Sequence, residues 1–325
     1  MSRRFTLAIL SDIHYAGPAE QTVGDDYEIR AIANPLLRLL LRTYRRYIWL
    51  RYPLRQNGQL DRFLAEVGGV DYVIANGDYS CNTAAIGLSD EAAMQSAREC
   101  LGKLHQQFGD RLRANFGDHE LGKLRLLGTR GGMRLHSWQR CVHELGLQPF
   151  WRLELGNYVL LSVVSSLVAL PVFGRDLLPE ERPAWDQLRA EHLADLRTAF
   201  AALHPRQRVL LFCHDPTALP FLWRDEIVRG KLPQIEQTII GHLHSNLILK
   251  ISHLLAGLPV IRCLGHSVRR MSTALNEARL WRHFRVRLCP SLAGIELLKD
   301  GGYLTASLDP AATEPTRFEL RRLPR

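Results

Sequence analysis

The sequence predicts an α/β protein whose strands are mostly covered on both faces. Apolar runs rich in Val, Ile and Leu recur along the chain, helical patterns lie between them, and polar residues follow them directly. Runs that do not alternate with polar residues are typical of strands buried between two layers. The predicted strands are residues 5–10, 72–75, 112–116, 158–164, 209–213, 235–240 and 260–264.

Two long helices are predicted between these strands. Residues 89–107 open with Ser89-Asp90-Glu91, which is typical of a helix N-terminus, and residues 182–204 begin near Pro183. The second segment repeats apolar residues at helical spacing, which predicts one face turned to the core. That face comprises Trp185, Leu188, His192, Leu196, Ala199 and Leu203.

The end of the chain is rich in predicted strands. Residues 284–288, 294–298 and 303–308 predict antiparallel strands, with Asp300-Gly301-Gly302 as a tight turn between the last two. We find no internal repeat, low-complexity segment or linker. We therefore expect one domain over residues 1–325, with a basic insert at about 33–58 and a β-rich part at about 284–310.

Composition indicates a folded protein with an anionic partner. Of the 325 residues, 46% are hydrophobic and 23% charged, while the net charge is +9. The six cysteines have no Cys-x-x-Cys spacing, which favours reduced thiols. The N-terminal apolar run is too short for a secretory signal, and the apolar tract 158–173 is shorter than a membrane span. We expect a cytoplasmic protein.

Five polar motifs follow predicted strands, where α/β sheets place their sites. Each motif alone is weak, since a Gly-Asp after a strand is more often a turn and a lone histidine is more often a core residue. Five in one order are a strong signal. They are Asp12-Ile13-His14, Asn76-Gly77-Asp78, Gly117-Asp118-His119-Glu120, His214-Asp215 and Gly241-His242-Leu243-His244.

These motifs resemble those of the calcineurin-like metallophosphoesterases, whose pattern is D-x-H, G-D, G-N-H-[DE], a lone His and G-H-x-H. The resemblance covers residues 5 to 265 through its motifs. It implies a four-layer αββα sandwich in which two mixed β-sheets are flanked by helices. It also implies a hydrolase that cleaves phosphoester or pyrophosphate bonds by attack of a hydroxide bridging two metal ions.

The resemblance also implies roles for individual residues. One metal ion would be held by Asp12, His14, Asp78 and His244. The second would be held by Asp78 as a bridging carboxylate with Asp118, His214 and His242. His119 would be the catalytic imidazole that binds no metal, and Glu120 would orient a ligand or His119. Mixed imidazole and carboxylate ligands favour Mn²⁺ first, with Fe or Zn²⁺ as alternatives.

Asp118 departs from the family pattern, which has Asn at this position. An ionised carboxylate makes the site less positive, which weakens its attraction for an anionic phosphate. Carboxylate oxygen is nevertheless a competent ligand, so we expect Asp118 to bind metal.

Residues 34–58 form a basic segment with six arginines and no acidic residue. Asn34-Pro35 predicts a helix start and Pro53 a stop. On this helix Arg38, Arg42 and Arg45 share one face, and apolar residues form another: Leu37, Leu40, Leu41, Tyr44 and Ile48.

Three interpretations of this segment remain open. Basic amphipathic helices with interfacial aromatic residues are typical of anionic membrane surfaces. The helix can equally cover the sheet with solvated arginines, or bind nucleic acid, which its apolar content favours less. On the membrane interpretation, the contacts to membrane or substrate are Arg38, Arg42, Arg45 and Trp49. A second basic stretch, 262–287, is a candidate to flank the same region, and candidate phosphate contacts are Arg125, Arg130 and His266.

Three functions compete. The first is hydrolysis of a membrane-associated or lipid-linked phosphate substrate, such as a phospholipid or the pyrophosphate of UDP-diacylglucosamine, by a protein peripheral on the inner face of the membrane. The second is a nucleotide or nucleic-acid phosphodiesterase. The third is a non-catalytic scaffold with the same fold, which would be expected to lose ligands that this chain retains. No obligate protein partner is predicted.

Overall fold

Two β-sheets form the centre of the protein. The computed structural model describes residues 3–30, 32–122, 132–263 and 266–324. The first sheet has the strand order β10-β9-β1-β2-β3 and the second β4-β5-β6-β7-β8. The strands are β1 (Phe5–Leu10), β2 (Tyr72–Ala75), β3 (Leu112–Ala114), β4 (Arg152–Leu155), β5 (Tyr158–Val163), β6 (Arg208–Cys213), β7 (Ile235–Ile240), β8 (Val286–Leu288), β9 (Gly302–Leu308) and β10 (Arg317–Arg322).

Both sheets are mixed. In the first sheet β1, β2 and β3 are parallel, and β9 is antiparallel to both β1 and β10. In the second sheet β5, β6, β7 and β8 are parallel, and β4 is antiparallel to β5. Parallel strands end at the same edge of their sheet, so the loops after β1, β2 and β3 are neighbours, as are those after β6 and β7.

The sheets pack face to face, and their outer faces are covered by helices. Along β1, Leu7 and Ile9 belong to an apolar cluster shared with Leu160 and Phe212 of the second sheet. The alternate residues Ala8 and Leu10 belong to a second cluster that includes helical residues. This alternation follows from the two-residue period of a strand. The predicted four-layer αββα sandwich is confirmed.

The helices of the described ranges vary in length, and the two long predicted ones are present as α5 and α10. They are α1 (Pro18–Gln21), α2 (Tyr27–Arg30), α3 (Pro35–Tyr47), α4 (Asn57–Glu66), α5 (Glu91–Phe108), α6 (Asp118–Leu121), α7 (Leu135–His143), α8 (Ser165–Val168), α9 (Leu170–Phe173), α10 (Arg182–Ala201), α11 (Leu219–Arg224), α12 (Glu226–Gly230), α13 (Asn246–Leu254) and α14 (His266–Glu277). In the described part of the chain, no helix is both long enough and apolar enough to cross a bilayer.

The predicted strand at residues 294–298 is wrong. Gly294 has a φ of 63°, and the Asp300 carboxylate accepts a hydrogen bond from the Ile295 N–H at 3.1 Å. The Lys299 N–H donates to the Ile295 carbonyl at 2.8 Å, which closes a turn. These local bonds use backbone groups that a strand would need for its neighbours. The hairpin at this end of the chain is instead formed by β9 and β10.

Two further strand predictions need correction. Residues 284–288 were expected beside the last strands in antiparallel order, but β8 lies in the other sheet, parallel to β7. Of the predicted strand 260–264, residues 260–263 form no strand, and the Ile261 N–H instead donates to the Ser272 hydroxyl of α14 at 2.9 Å. Residue 264 lies outside the described residues. Apolar content alone did not separate a strand from a loop packed under a helix. The single-domain organisation stays a prediction.

Candidate metal centre

The predicted metal ligands converge where strands of both sheets end. In the first sheet they follow β1, β2 and β3, and in the second they follow β6 and β7. The structure brings together Asp12, His14, Asp78, Asp118, His214, His242 and His244 in overlapping and adjoining groups. Their assignment as ligands stays a prediction.

The first group consists of Asp12, His14 and His244. The Nε2 atoms of the two imidazoles lie 3.2 Å apart. His244 Nε2 is 3.3 Å from Asp12 Oδ1, and His14 Nε2 is 3.8 Å from the same oxygen. Two ring nitrogens and a carboxylate oxygen thus point at one small volume.

The second group consists of Asp78, Asp118, His214 and His242. His214 Nε2 lies 3.2 Å from Asp78 Oδ2 and 3.4 Å from Asp118 Oδ1. His242 Nδ1 lies 2.9 Å from Asp118 Oδ1. The histidines of Gly-His-x-His therefore divide between the two groups.

Asp78 lies between the two groups. Besides its place in the second, it shares a cluster with His14 and His119. His119 Nε2 is 3.7 Å from Asp78 Oδ2, and His214 Nε2 is 4.0 Å from Asp12 Oδ1. This is the position in which a carboxylate can bridge two cations.

Five of the seven predicted ligands have left-handed backbone conformations. Such conformations cost a residue other than glycine roughly 1–3 kcal/mol and concentrate at functional sites. Surrounding contacts must hold them in place. The residues are Asp12 (φ 52°), His14 (φ 48°), Asp78 (φ 60°), His242 (φ 58°) and His244 (φ 59°).

The donor set fits two divalent transition-metal ions. His214 Nε2 is buried and, among the described residues, has no hydrogen-bond partner of acceptable geometry. An unsatisfied buried nitrogen is costly, and coordination would satisfy it. Nitrogen and carboxylate oxygen together suit Mn²⁺, Fe or Zn²⁺.

Backbone carbonyls orient the key imidazoles. His214 Nδ1 lies 2.6 Å from the Asn76 carbonyl oxygen, and His119 Nδ1 lies 2.9 Å from that of Ser80. A carbonyl only accepts, so each Nδ1 carries a proton, and in the neutral imidazole each Nε2 presents a lone pair to the centre. Asn76 and Ser80 were missed by sequence reasoning, because their contribution comes from backbone atoms that any residue supplies.

Glu120 holds the loops after β2 and β3. Its carboxylate accepts hydrogen bonds from the N–H groups of Asp78 (3.0 Å), Tyr79 (2.8 Å) and Gly117 (2.7 Å). Burial, followed by the charge of Asp78, raises the pKa of Glu120 to about 8. The contact to Asp78 is through its backbone, so Glu120 positions the loop that carries Asp78.

Charges within the centre compensate one another. Burial and the charge of Asp118 would raise the pKa of Asp78, but the positive charges of protonated His119 and His214 outweigh them and hold this pKa below its ordinary value. Burial lowers the pKa of His244 well below its ordinary value. Burial would lower the pKa of His242, but the charges of Asp215 and Asp118 outweigh it and raise this pKa to about 9. Despite burial, Asp78 and Asp12 likewise hold the pKa of His214 well above its ordinary value. Metal binding needs neutral imidazoles, so it would displace protons from these two histidines.

The four predicted membrane or substrate contacts lie in different environments. Trp49 lies against His244, with ring centroids 4.7 Å apart. Arg38 donates to the Ile32 carbonyl and Arg45 pairs with Glu28, so both arginines are turned toward the protein, while Arg42 is exposed. The candidate phosphate contacts Arg125 and Arg130, and the side chain of His266, lie outside the described residues.

Comparison with known proteins identifies the fold. No protein-family model matches the sequence, and no curated protein matches it either. The structure resembles a dimetal phosphatase from Danio rerio, with a TM-score of 0.51, 16% identity and coverage of 98% of this chain and 96% of that one. The chain therefore has the calcineurin-like metallophosphoesterase fold that the motifs implied.

Two other solved structures are more distant. A phosphopantetheinyl hydrolase from Mycobacterium tuberculosis has a TM-score of 0.35 and 15% identity, with coverage of 75% of this chain and 84% of that one. A purple acid phosphatase from yellow lupin has a TM-score of 0.36 and 10% identity, with coverage of 75% and 38% respectively. We draw nothing further from these two.

Proposed function

We propose that this protein is a hydrolase that cleaves phosphoester or pyrophosphate bonds and uses two divalent metal ions. Mn²⁺ is the first candidate for these ions. The observation that carries the proposal is the pair of ligand groups joined at Asp78. Asp12, His14 and His244 would hold one ion, and Asp118, His214 and His242 the other. The fold shared with a dimetal phosphatase supports the same chemistry.

Metal ions held by these residues would supply positive charge that polarises a phosphoryl group and lowers the pKa of bound water, so that hydroxide is available at neutral pH. The protein's task is then to orient the phosphate and to supply a proton. His119 is suited to the second task, since its Nδ1 faces the Ser80 carbonyl and its Nε2 faces the centre, 3.7 Å from Asp78 Oδ2. We propose that His119 protonates the leaving oxygen or stabilises its charge.

We further propose a lipid-linked substrate, encountered at the cytoplasmic face of a membrane. Support comes from Trp49, which joins His244 to the basic helix α3. Residues 34–58 carry no negative charge that would repel a phosphate-bearing surface.

A hydrolysis panel with Mn²⁺ tests both the proposed hydrolase activity and the proposed lipid-linked substrate. It should include mono- and diester chromogens, phospholipids, a UDP-linked lipid and nucleotides, each assayed also with His119→Ala. We expect turnover of a lipid-linked substrate, and His119→Ala should lower kcat about 10²–10⁴-fold with metal content unchanged. Turnover of nucleotides alone would overturn the lipid assignment. No turnover of any substrate by the metal-loaded protein would overturn the hydrolase.

A further inference from the structure

Helix α3 exposes several leucines to solvent, unlike an ordinary surface helix. Its N-terminus is capped by Asn34, whose side chain accepts hydrogen bonds from the Leu36 and Leu37 N–H groups. The exposed fractions of Leu36, Leu39 and Leu40 are 77%, 61% and 65%, and none of the helix's residues is buried. Surface helices of folded domains normally turn such residues to the core.

Arg38 and Arg45 lie on the inner side of the helix together with Leu41, and all three are only partly exposed. The Arg38 guanidinium donates to the Ile32 carbonyl from both Nε (3.0 Å) and Nη2 (2.6 Å). Arg45 has a side chain only 11% exposed and lies 3.1 Å from Glu28. These contacts fix the rotation of the helix, and the leucines are therefore held outward.

The loop between β8 and β9 extends this apolar surface. The Glu296 N–H donates to the Trp49 carbonyl at 2.7 Å, and the Leu297 N–H donates to the Ile48 carbonyl at 3.2 Å. Leu297 and Leu298 are both about half exposed. We call the combined surface the outer face, defined by Leu36, Leu39, Leu40, Tyr47, Leu297 and Leu298.

The outer face is connected to the candidate metal centre. Trp49 follows α3 and contacts the His244 ring. Asp300, at the end of the loop, accepts a hydrogen bond from the Ser245 hydroxyl at 2.7 Å, directly after His244. Both parts of the outer face are thus held by the segment that carries a predicted ligand.

We propose that the outer face docks onto an anionic phospholipid bilayer. Exposed leucines and Tyr47 suit the boundary between headgroups and acyl chains. Arg42 and Arg46 are exposed on the same helix and would meet the negative headgroups. A second copy of the chain suits this face less well, because pairing would bring two acid-free arginine segments together.

Docking in this way places the candidate metal centre beside the headgroups. This consequence rests on the proposed function, since only a hydrolase would use it. The binding itself does not, because no turnover is needed to attach the protein to a bilayer.

Vesicle sedimentation of the full-length, Mn²⁺-equilibrated protein tests the proposal. Probes are vesicles of phosphatidylcholine alone and of phosphatidylcholine with phosphatidylglycerol. We expect binding to the mixed vesicles, a loss of at least about tenfold in Leu36→Ser/Leu40→Ser, and loss of the anionic preference in Arg42→Glu/Arg46→Glu. Ile227→Ser/Leu320→Ser is the matched control, because both residues are exposed apolar side chains elsewhere on the protein.

Circular dichroism should show all variants folded, since every altered side chain is exposed. Binding of Leu36→Ser/Leu40→Ser at the wild-type level would overturn the proposal. A wild-type dimer in light scattering that this pair makes monomeric, with no vesicle binding, would overturn it in favour of self-association. Vesicle binding without hydrolysis would retain the docking surface and overturn only the proposed function.

Discussion

Asp118 is the residue at which this centre differs from the family pattern it resembles. Its Oδ1 lies 2.9 Å from His242 Nδ1 and 3.4 Å from His214 Nε2, so it faces both histidines of the second group. An amide oxygen in the same place could still coordinate a cation, but an Ala methyl could not. Substitutions at Asp118 can therefore distinguish the loss of a metal ligand from the loss of a negative charge.

We predict that Asp118→Ala loses the second metal ion, whereas Asp118→Asn keeps both. Removing one negative charge should also make Asp118→Asn bind inorganic phosphate several-fold more tightly. Elemental analysis of metal content and the inhibition constant for phosphate check these outcomes. Unchanged metal content in Asp118→Ala would refute its role as a ligand.

Gly241 is constrained by space rather than by backbone angle. A Cβ at this position would lie 2.0 Å from Ser11 Oγ, 2.4 Å from Asp12 Oδ2 and 3.0 Å from His214 Nδ1. All three neighbours are buried, so none can move away freely. The glycine lets the β7 loop approach the first ligand.

We predict that Gly241→Ala lowers metal affinity at least about tenfold and lowers Tm, because displaced supporting groups typically cost that much. Gly58→Ala is the matched control, since a Cβ there meets nothing within 4 Å and lies in helix α4. The control should gain about 0.5–1 kcal/mol of stability. Metal titration measures the affinity, and thermal unfolding measures Tm. Equal metal affinity in Gly241→Ala and Gly58→Ala would contradict the close packing around Gly241.

At the scale of elements, His192 joins helix α10 to the end of β5. Its Nε2 accepts a hydrogen bond from the Val164 N–H at 3.0 Å, and burial lowers its pKa to about 3. The unfolded chain would bind a proton at this residue below about pH 6.5, whereas the folded protein would not. Stability from this residue is therefore full above pH 6.5 and is lost as the pH falls toward 3.

We predict that the free energy of unfolding falls by about 2 kcal/mol between pH 7.5 and pH 5.0 because of His192. In His192→Gln, whose side-chain oxygen can accept the same hydrogen bond, this part of the pH dependence should disappear. Urea unfolding at the two pH values measures the difference. The same pH dependence in both proteins would show that His192 is not its source.

The sequence predicted the site correctly where a buried apolar strand is followed directly by polar motif residues. The motif residues were found because each follows a buried strand, as Asp12 does after β1 and His214 after β6. The strand at residues 294–298 was wrong, because its leucines suggested a core while Gly294 and Asp300 form a local turn. On α3 each predicted face is divided, since Arg38 and Arg45 turn toward the protein while Arg42 is exposed. Of the predicted apolar face, Leu40 is exposed and Leu41 only partly so.

At the scale of the whole molecule, the two-sheet arrangement was available only through the resemblance. Which strands share a sheet depends on long-range pairing, and β8 beside β7 shows how easily sequence order misleads. The contact between Trp49 and His244 is of the same kind, since no local pattern connects them. The outer face and its position beside the centre therefore emerged only from the fold.

The central claim is that two metal ions sit in groups joined at Asp78. Elemental analysis of the protein after equilibration with Mn²⁺ and removal of free metal tests it most directly. The account predicts two ions per wild-type chain, fewer in His244→Ala, and less than one in Asp78→Ala. Two ions retained in Asp78→Ala, or none in the wild type, would contradict it.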